Sequence, residues 1–138
     1  RYDIHVENGS MYNTPPCVNI FAVLQTLGWV KSLGGVKAME KLANERADML
    51  YAEIDRNSLF KAPVEEGSRS RMNIPFVWTE GNDKYQDDFM KFAGERNIVG
   101  IKGHRSVGGF RASTYNACTI EDVKALVACM QDFEKKVS

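Results

Sequence analysis

Three side chains that could bind an anion lie within eight residues of one another: His104, Arg105 and Arg111. Gly108 and Gly109 separate them, and a loop bent at two glycines can direct all three toward one small volume. The arginine guanidinium is a planar group of donors that matches a carboxylate or a phosphate. The stretch therefore predicts a pocket for a ligand with two anionic ends. The alternative is that these are ordinary surface arginines beside a tight turn.

The charge balance of the sequence restricts the classes of partner. The 138 residues suggest a single domain, and 18 basic residues balance 18 acidic ones, so the formal net charge is zero. Nucleic-acid and membrane-surface binding usually need a basic excess. No apolar run approaches the roughly 20 residues of a membrane-spanning helix. We therefore expect neither a nucleic-acid nor a membrane partner.

The cysteines and histidines indicate the compartment and argue against a metal. Cys17, Cys118 and Cys129 are odd in number and include no CxxC pair, which is typical of a reducing compartment. We therefore expect a cytoplasmic protein. Neither a nucleophilic cysteine nor a metal site is expected, because His5 and His104 are few and far apart in the sequence.

The pattern along the chain predicts a small α/β domain. Residues 1–11 alternate weakly and could be a short strand or a connector. Thr14 is a plausible N-cap for a first helix, with Pro15 at its first position, although such a helix start can also bind a phosphate. The second helix has an apolar stripe, and two strands follow with a helix between them and a last helix at the end. The stripe consists of Val36, Met39, Ala43, Ala47, Leu50 and Ile54.

Two strands deserve separate predictions. The alternation over residues 72–78 predicts a strand, and Pro75 places it at a sheet edge or in an irregular region, because proline cannot donate to a ladder. A strand over 110–115 would put Arg111, Ser113 and Tyr115 on the face opposite the core. A further brief strand is predicted over 98–101. The predicted fold is a two-layer α/β sandwich.

Three motifs carry a resemblance to a known family. They read SMYNTPP (10–16), SRSRMNIPF (68–76) and GHRSVGGFRASTYNA (103–117). Together, and in this order, they resemble the C-terminal part of the phosphoserine aminotransferases, over nearly the whole chain. That family consists of fold-type-I enzymes that depend on pyridoxal 5'-phosphate. The resemblance implies that residues 15–138 form the small C-terminal domain, that residues 1–14 are a stub of the large domain or a link to it, and that the chain is part of a longer polypeptide.

The resemblance also implies roles for the residues of the motifs. Asn13 and Thr14 match positions that reach across a homodimer to the cofactor phosphate. Arg111 matches the arginine that binds the substrate α-carboxylate. His104 and Arg105 match the pair that receives the distal phosphate or side-chain carboxylate.

The implied reaction is reversible transfer of an amino group between glutamate and 3-phosphohydroxypyruvate in serine biosynthesis, which gives phosphoserine and 2-oxoglutarate. The lysine that attaches the cofactor lies upstream in this family, so no catalytic residue is expected in this chain and the chain alone should be inactive. The remaining alternative is a non-catalytic binding module for small dianions. Arg69, Arg71 and Asn73 either tie a loop to a strand or line the entrance of the site.

Overall fold

The computed structural model describes residues 1–104 and 108–137. The chain divides into two units, Arg1–Met39 and Glu40–Ser138. The boundary near residue 14 that the resemblance implies stays a prediction.

The first unit begins with a short helix, α1 (Tyr2–Glu7), where the sequence suggested a strand or a connector. Three alternating apolar residues are too few to fix a strand, and the backbone satisfies its own hydrogen bonds locally. The amide of Ser10 donates to the carbonyl of His5 over 2.7 Å, and that of Gly9 donates to Val6 over 3.2 Å.

Helix α2 (Cys17–Ser32) starts later than expected, with Pro16 rather than Thr14 at the N-cap position. The prediction that Thr14 caps this helix is wrong, because no side chain forms a capping hydrogen bond there. Two consecutive prolines delay the start, because each disfavours the helical conformation in the residue before it. The helix ends as expected near Gly34, whose φ of +100° suits only glycine.

Apolar side chains cover the whole circumference of α2. None of its residues is buried within this chain. A soluble surface helix normally has one apolar stripe and one polar face, and a helix that is apolar all round is normally buried. Helix α2 therefore requires cover from outside its own unit. Its exposed large side chains are Val18, Ile20, Phe21, Val23, Leu24, Leu27 and Trp29.

Helix α3 (Gly35–Arg56) confirms the predicted apolar stripe except at its first residue. Met39, Ala43, Ala47, Leu50 and Ile54 are buried. Val36 was expected in the core but is 79% exposed.

A three-stranded antiparallel sheet forms the first layer of the second unit. Its strands are β1 (Phe60–Lys61), β2 (Asn73–Trp78) and β3 (Phe110–Ser113), in that spatial order. The brief strand expected over 98–101 is absent from the described residues, because Gly100 has a φ of +75° that interrupts extended backbone. Only an isolated bridge between Lys102 and Phe110 borders β3 there.

Strand β2 is the central strand of the sheet, so the predicted edge position is wrong, and the alternative of a locally irregular strand remains. Pro75 is nevertheless accommodated, for a local reason. It lies opposite Arg111, whose amide donates to the carbonyl of Ile101 rather than toward β2. The missing donor of Pro75 therefore faces the other side, where β1 pairs only with Val77 and Trp78.

Helices α4 (Gln86–Gly94) and α5 (Ile120–Val137) pack on one face of the sheet together with α3 and share a continuous core. Single 3₁₀ turns at Glu66–Ser68 and Asp83–Tyr85 lie between these elements. The predicted two-layer α/β arrangement is confirmed. Five fully buried phenylalanines fill the space between the layers: Phe60, Phe76, Phe89, Phe110 and Phe133.

A buried carboxylate fastens the end of α3 to α5. Glu53 accepts hydrogen bonds from Arg56 at 2.7 Å and 3.0 Å, from Asn57 at 2.8 Å and from Gln131 at 2.9 Å. Burial raises the pKa of Glu53, but these hydrogen bonds lower it by more, so the pKa lies below its ordinary value. Glu134 on α5 binds Arg56 as well, over 2.7 Å.

We expect Glu53→Gln to lower the free energy of unfolding at pH 7 by about 2–4 kcal/mol, because buried donors lose an ionised acceptor. A carboxyl with a lowered folded pKa stabilises the protein above its unfolded pKa, and this contribution disappears as the pH falls through the folded pKa. The difference between Glu53→Gln and wild type should therefore shrink below about pH 4. Urea unfolding at several pH values measures it.

Glu121→Gln is the matched control, because Glu121 forms an exposed pair with Lys124 at 2.9 Å. It should change the free energy of unfolding by less than about 0.5 kcal/mol. A pH-independent difference for Glu53→Gln would show that the charge of Glu53 has no part in joining α3 to α5.

Candidate functional site

Strand β3 presents Arg111 on the side of the sheet that faces away from the core. Phe110 and Ala112 are buried, whereas Arg111 and Ser113 are exposed, as the alternation predicted. The buried neighbours fix the backbone on both sides of Arg111. The amide of Arg111 also donates to the carbonyl of Ile101 over 2.8 Å. The root of this side chain is therefore held rigidly while its guanidinium is open to a ligand.

Glycines close the base of the loop that precedes β3. The amide of Gly103 donates to the carbonyl of Gly109 over 2.9 Å, and that of Gly108 donates to His104 over 2.8 Å. A Cβ atom at Gly103 would lie 2.1 Å from the carbonyl oxygen of Gly108. At Gly109, φ is +63° and a Cβ atom would lie 2.8 Å from the carbonyl oxygen of Phe76. Of the two glycines predicted as bends, Gly109 is needed for close backbone approach, whereas Gly108 is needed only for its φ of +73°.

Of the two residues predicted to bind the distal end of the ligand, His104 and Arg105, the structure describes only His104. His104 lies at the base of this loop, seven residues before Arg111, and its side chain is exposed. Arg105 lies outside the described residues. A shared ligand for His104, Arg105 and Arg111 therefore stays a prediction.

Arg111 differs from four of the described arginines, which pair with carboxylates, and shares the lack of a carboxylate partner with Arg46 and Arg96. Within residues 1–104 and 108–137, no carboxylate forms an ion pair with Arg111. An arginine without a carboxylate partner at a rigid position is suited to binding an anionic ligand, because no internal pair has to be broken first. Arginines with partners are Arg1 with Asp3, Arg56 with Glu53 and Glu134, Arg69 with Asp55, and Arg71 with Glu40.

The neighbours of Arg111 on this face are neutral. Asn73 lies opposite Ser113, and Pro75 lies opposite Arg111. The Oδ1 atom of Asn73 accepts hydrogen bonds from the hydroxyl of Ser113 at 3.1 Å and from that of Tyr115 at 3.3 Å.

Sequence reasoning grouped Ser113 and Tyr115 with Arg111 but missed their link to Asn73. The strand alternation of β2 was the available signal, because it puts Asn73 and Pro75 on one face. The antiparallel register that brings this face beside Arg111 depends on tertiary packing.

A groove of about 580 Å³ runs along β3. Arg111, Ser113 and Thr114 line one side, and Cys118 and Asp122 at the start of α5 line another. Burial and then the charge of Asp122 raise the pKa of the Cys118 thiol, so this cysteine is a poor nucleophile. Cys118 is therefore not expected to act as a nucleophile in this groove.

Two of the three residues left open in the second motif tie the loop to α3. Arg69 binds Asp55 through two hydrogen bonds of 2.6 Å and 2.8 Å, and its guanidinium lies 4.6 Å from the ring centroid of Tyr51. Arg71 pairs with Glu40 at 3.3 Å. The structural interpretation fits Arg69 and Arg71, whereas Asn73 belongs to the face that carries Arg111.

Asn13 and Thr14 lie in the first unit, just before α2, and both are exposed. Neither side chain forms a hydrogen bond with another described residue. The Thr14 hydroxyl does not cap the helix, so it and the Asn13 amide are available as neutral donors to a phosphate. Their chemistry fits the cofactor phosphate that the resemblance assigned to them, and that role stays a prediction.

The described part of the chain contains neither a membrane-spanning helix nor a metal-binding group. None of its helices has the length and apolar character needed to cross a membrane. Its His, Cys, Asp and Glu side chains include no group of three that could hold a metal ion.

The profile of the class-V aminotransferases matches residues 2–126. The chain belongs to the class-V aminotransferase family. This membership confirms the resemblance that the three motifs carried.

Individual relatives place the chain more narrowly within the class-V aminotransferases. It is 60% identical over 135 residues to a phosphoserine aminotransferase of Bacteroides thetaiotaomicron, a match that covers 98% of the chain and 38% of the relative. It is 47% identical to one of Flavobacterium psychrophilum, with 99% and 38% covered. The chain thus spans about 38% of the length of the curated relatives it matches.

Solved structures agree with these relatives. The phosphoserine aminotransferase of Bacillus circulans subsp. alkalophilus superposes with a TM-score of 0.91 at 38% identity, over 100% of this chain and 38% of that one. The pyridoxal-phosphate-bound enzyme of Trichomonas vaginalis gives a TM-score of 0.85 at 42% identity, over 94% and 37%. The fold class predicted from the sequence, a part of a fold-type-I enzyme, is confirmed.

We expect Gly109→Ala to lower the free energy of unfolding by about 2–4 kcal/mol, because it combines a left-handed backbone with overlap against β2. Its Cβ atom would lie 2.7 Å from Val77 as well as close to Phe76. Gly94→Ala is the control, since a Cβ atom there meets nothing within 4 Å and its φ is not positive. Urea unfolding of the two variants compares them; equal stabilities would show that the loop base tolerates a side chain at residue 109.

Proposed function

We propose that this chain is the C-terminal part of a phosphoserine aminotransferase and supplies its substrate-recognition surface. The observation that carries the proposal is Arg111, a rigidly rooted arginine without a carboxylate partner among the described residues, in a chain 60% identical to such an enzyme. The proposed reaction transfers an amino group between glutamate and 3-phosphohydroxypyruvate and serves serine biosynthesis.

The proposed substrates share the charge pattern that this surface requires. Glutamate and phosphoserine both have an α-carboxylate and a second anionic end. Arg111 binds the α-carboxylate through a two-pronged, charge-assisted contact. His104 and Arg105 receive the distal carboxylate or phosphate. Because both substrates present the same two ends, one surface serves both halves of the reaction.

The proposed cofactor is pyridoxal 5'-phosphate, and Asn13 and Thr14 are the residues here that would hold it. Their amide and hydroxyl donate to its phosphate. When bound, the cofactor supplies the electron-withdrawing ring that makes amino transfer possible. The lysine that attaches it is expected in the upstream part of the full-length enzyme. The work of this chain is to hold the phosphate and to orient the substrate.

A homodimer is the proposed assembly. Helix α2 is apolar round its circumference and needs cover from the rest of the polypeptide or from a second subunit. The resemblance has Asn13 and Thr14 reach the cofactor of the opposite subunit. We also propose a cytoplasmic location, with no nucleic-acid or membrane partner, on the basis of the zero net charge and three free cysteines.

In the full-length enzyme, we expect Arg111→Gln to raise KM for both glutamate and phosphoserine by about 10- to 150-fold, because a hydrogen-bonded contact to an ionised group is worth about 1.5–3 kcal/mol. Steady-state kinetics with each substrate measure it. Arg71→Gln is the control, since Arg71 is already paired with Glu40. A normal KM for glutamate in Arg111→Gln would contradict the proposed substrate role.

The chain alone, supplied with pyridoxal 5'-phosphate, glutamate and 3-phosphohydroxypyruvate, should release no 2-oxoglutarate above a protein-free blank. An assay coupled to glutamate dehydrogenase and NADH measures that product. Turnover by the chain alone would show that its own residues complete the active site. If the full-length polypeptide also fails to turn over but binds phosphoserine, the chain belongs instead to a non-catalytic dianion-binding module.

A further inference from the structure

The carboxamide of Asn73 has a defined orientation on the face that carries Arg111. Its Oδ1 atom accepts one hydrogen bond from the Ser113 hydroxyl at 3.1 Å and another from the Tyr115 hydroxyl at 3.3 Å. A carbonyl oxygen has two lone pairs, so these two donors use both. The nitrogen of the carboxamide, Nδ2, carries two further N–H donors, which take no part in these two hydrogen bonds.

Within residues 1–104 and 108–137, these two N–H donors have no acceptor. Asn73 is only half-buried, so a ligand can reach it. The arrangement is unusual for a purely structural asparagine, which would use its donors as well as its acceptor to join two elements. Here the protein fixes the acceptor and leaves the donors toward the open face.

The sheet register brings these donors beside Arg111. Asn73 lies opposite Ser113, and Arg111 lies two residues before Ser113 on the same face. Asn73 and Arg111 are therefore diagonal neighbours, a relation in which Cα atoms are about 7–8 Å apart and long side chains meet. Both side chains project from the face opposite the buried Ile74 and Ala112.

Pro75, directly opposite Arg111, adds no charge or acceptor to the face that carries Arg111 and Asn73. Pro75 has no side-chain acceptor, so it leaves the guanidinium uncompensated. A carboxylate has about four lone-pair sites, of which a two-pronged arginine occupies two. The remaining sites can accept from a neutral amide at the diagonal position.

We propose that Asn73 is a second substrate-binding residue, whose Nδ2 donates a hydrogen bond to the same α-carboxylate that Arg111 binds. Ser113 and Tyr115 are positioning residues that hold the carboxamide in this orientation. The proposal rests on the proposed function, because it assigns a further contact within that substrate site.

The test is steady-state kinetics of the full-length enzyme with glutamate and with phosphoserine. Asn73→Ala should raise KM for both substrates by the same factor, about tenfold or more, because both present the same α-carboxylate. Its effect on kcat should be smaller. The double variant Ser113→Ala, Tyr115→Phe keeps the donors but frees the carboxamide, so both KM values should rise by a smaller factor.

The variant Asn73→Asp distinguishes a loss of substrate binding from a loss of stability. Its carboxylate can still accept from Ser113 and Tyr115, but it has no N–H donors and adds a negative charge beside Arg111. It should raise both KM values by more than Asn73→Ala while the melting temperature changes little. Asn116→Ala, an exposed amide on the same segment outside this hydrogen-bonded group, should leave both KM values unchanged.

The outcomes separate this inference from the proposed function. If Arg111→Gln raises both KM values and Asn73→Ala and Asn73→Asp leave them unchanged, Asn73 does not bind substrate and the proposed function stands. If Asn73→Ala lowers only the melting temperature, its role is structural and the inference is wrong. If Arg111→Gln has no effect on either KM, the proposed function itself fails.

Discussion

The pairing of β2 with β3 is the constraint on which the rest of the candidate site depends. It fixes Arg111 opposite Pro75 and Asn73 opposite Ser113, so the charged and neutral donors lie side by side on one open face. On the other face, the same pairing stacks Phe76 against Phe110, with ring centroids 4.9 Å apart. Burial of those rings therefore sets the position of the polar groups, since a one-residue slip would move them into the core.

A positive charge without a partner is tolerated here because it stays hydrated until a ligand arrives. Burying an unpaired guanidinium would cost several kcal/mol, whereas an exposed one costs little. Because its backbone is already fixed, binding an anion would have to remove only side-chain freedom. Elsewhere the chain uses arginine differently: Arg56 and Arg69 join elements of the fold through carboxylates.

Much of the second unit could be predicted from the sequence, because there the local pattern and the tertiary surroundings agree. The stripe of α3 and the alternation of β3 each had one buried face to specify. The predictions failed where the local sequence pattern and the tertiary structure disagree. Val36 follows the stripe but lies at the exposed start of the helix, and Thr14 has capping chemistry but precedes two prolines. The site residues themselves came from motifs, and the link between Asn73 and Ser113 came only from the register.

Helix α2 has a consequence for how this segment evolves. None of its residues is buried within its own unit, yet apolar groups cover every side of it. On a helix of this kind, no face tolerates substitution by charged residues. Its pattern of permitted substitutions should therefore resemble that of a protein interior, and a surface-based guess at mutational tolerance would misjudge nearly every position in it.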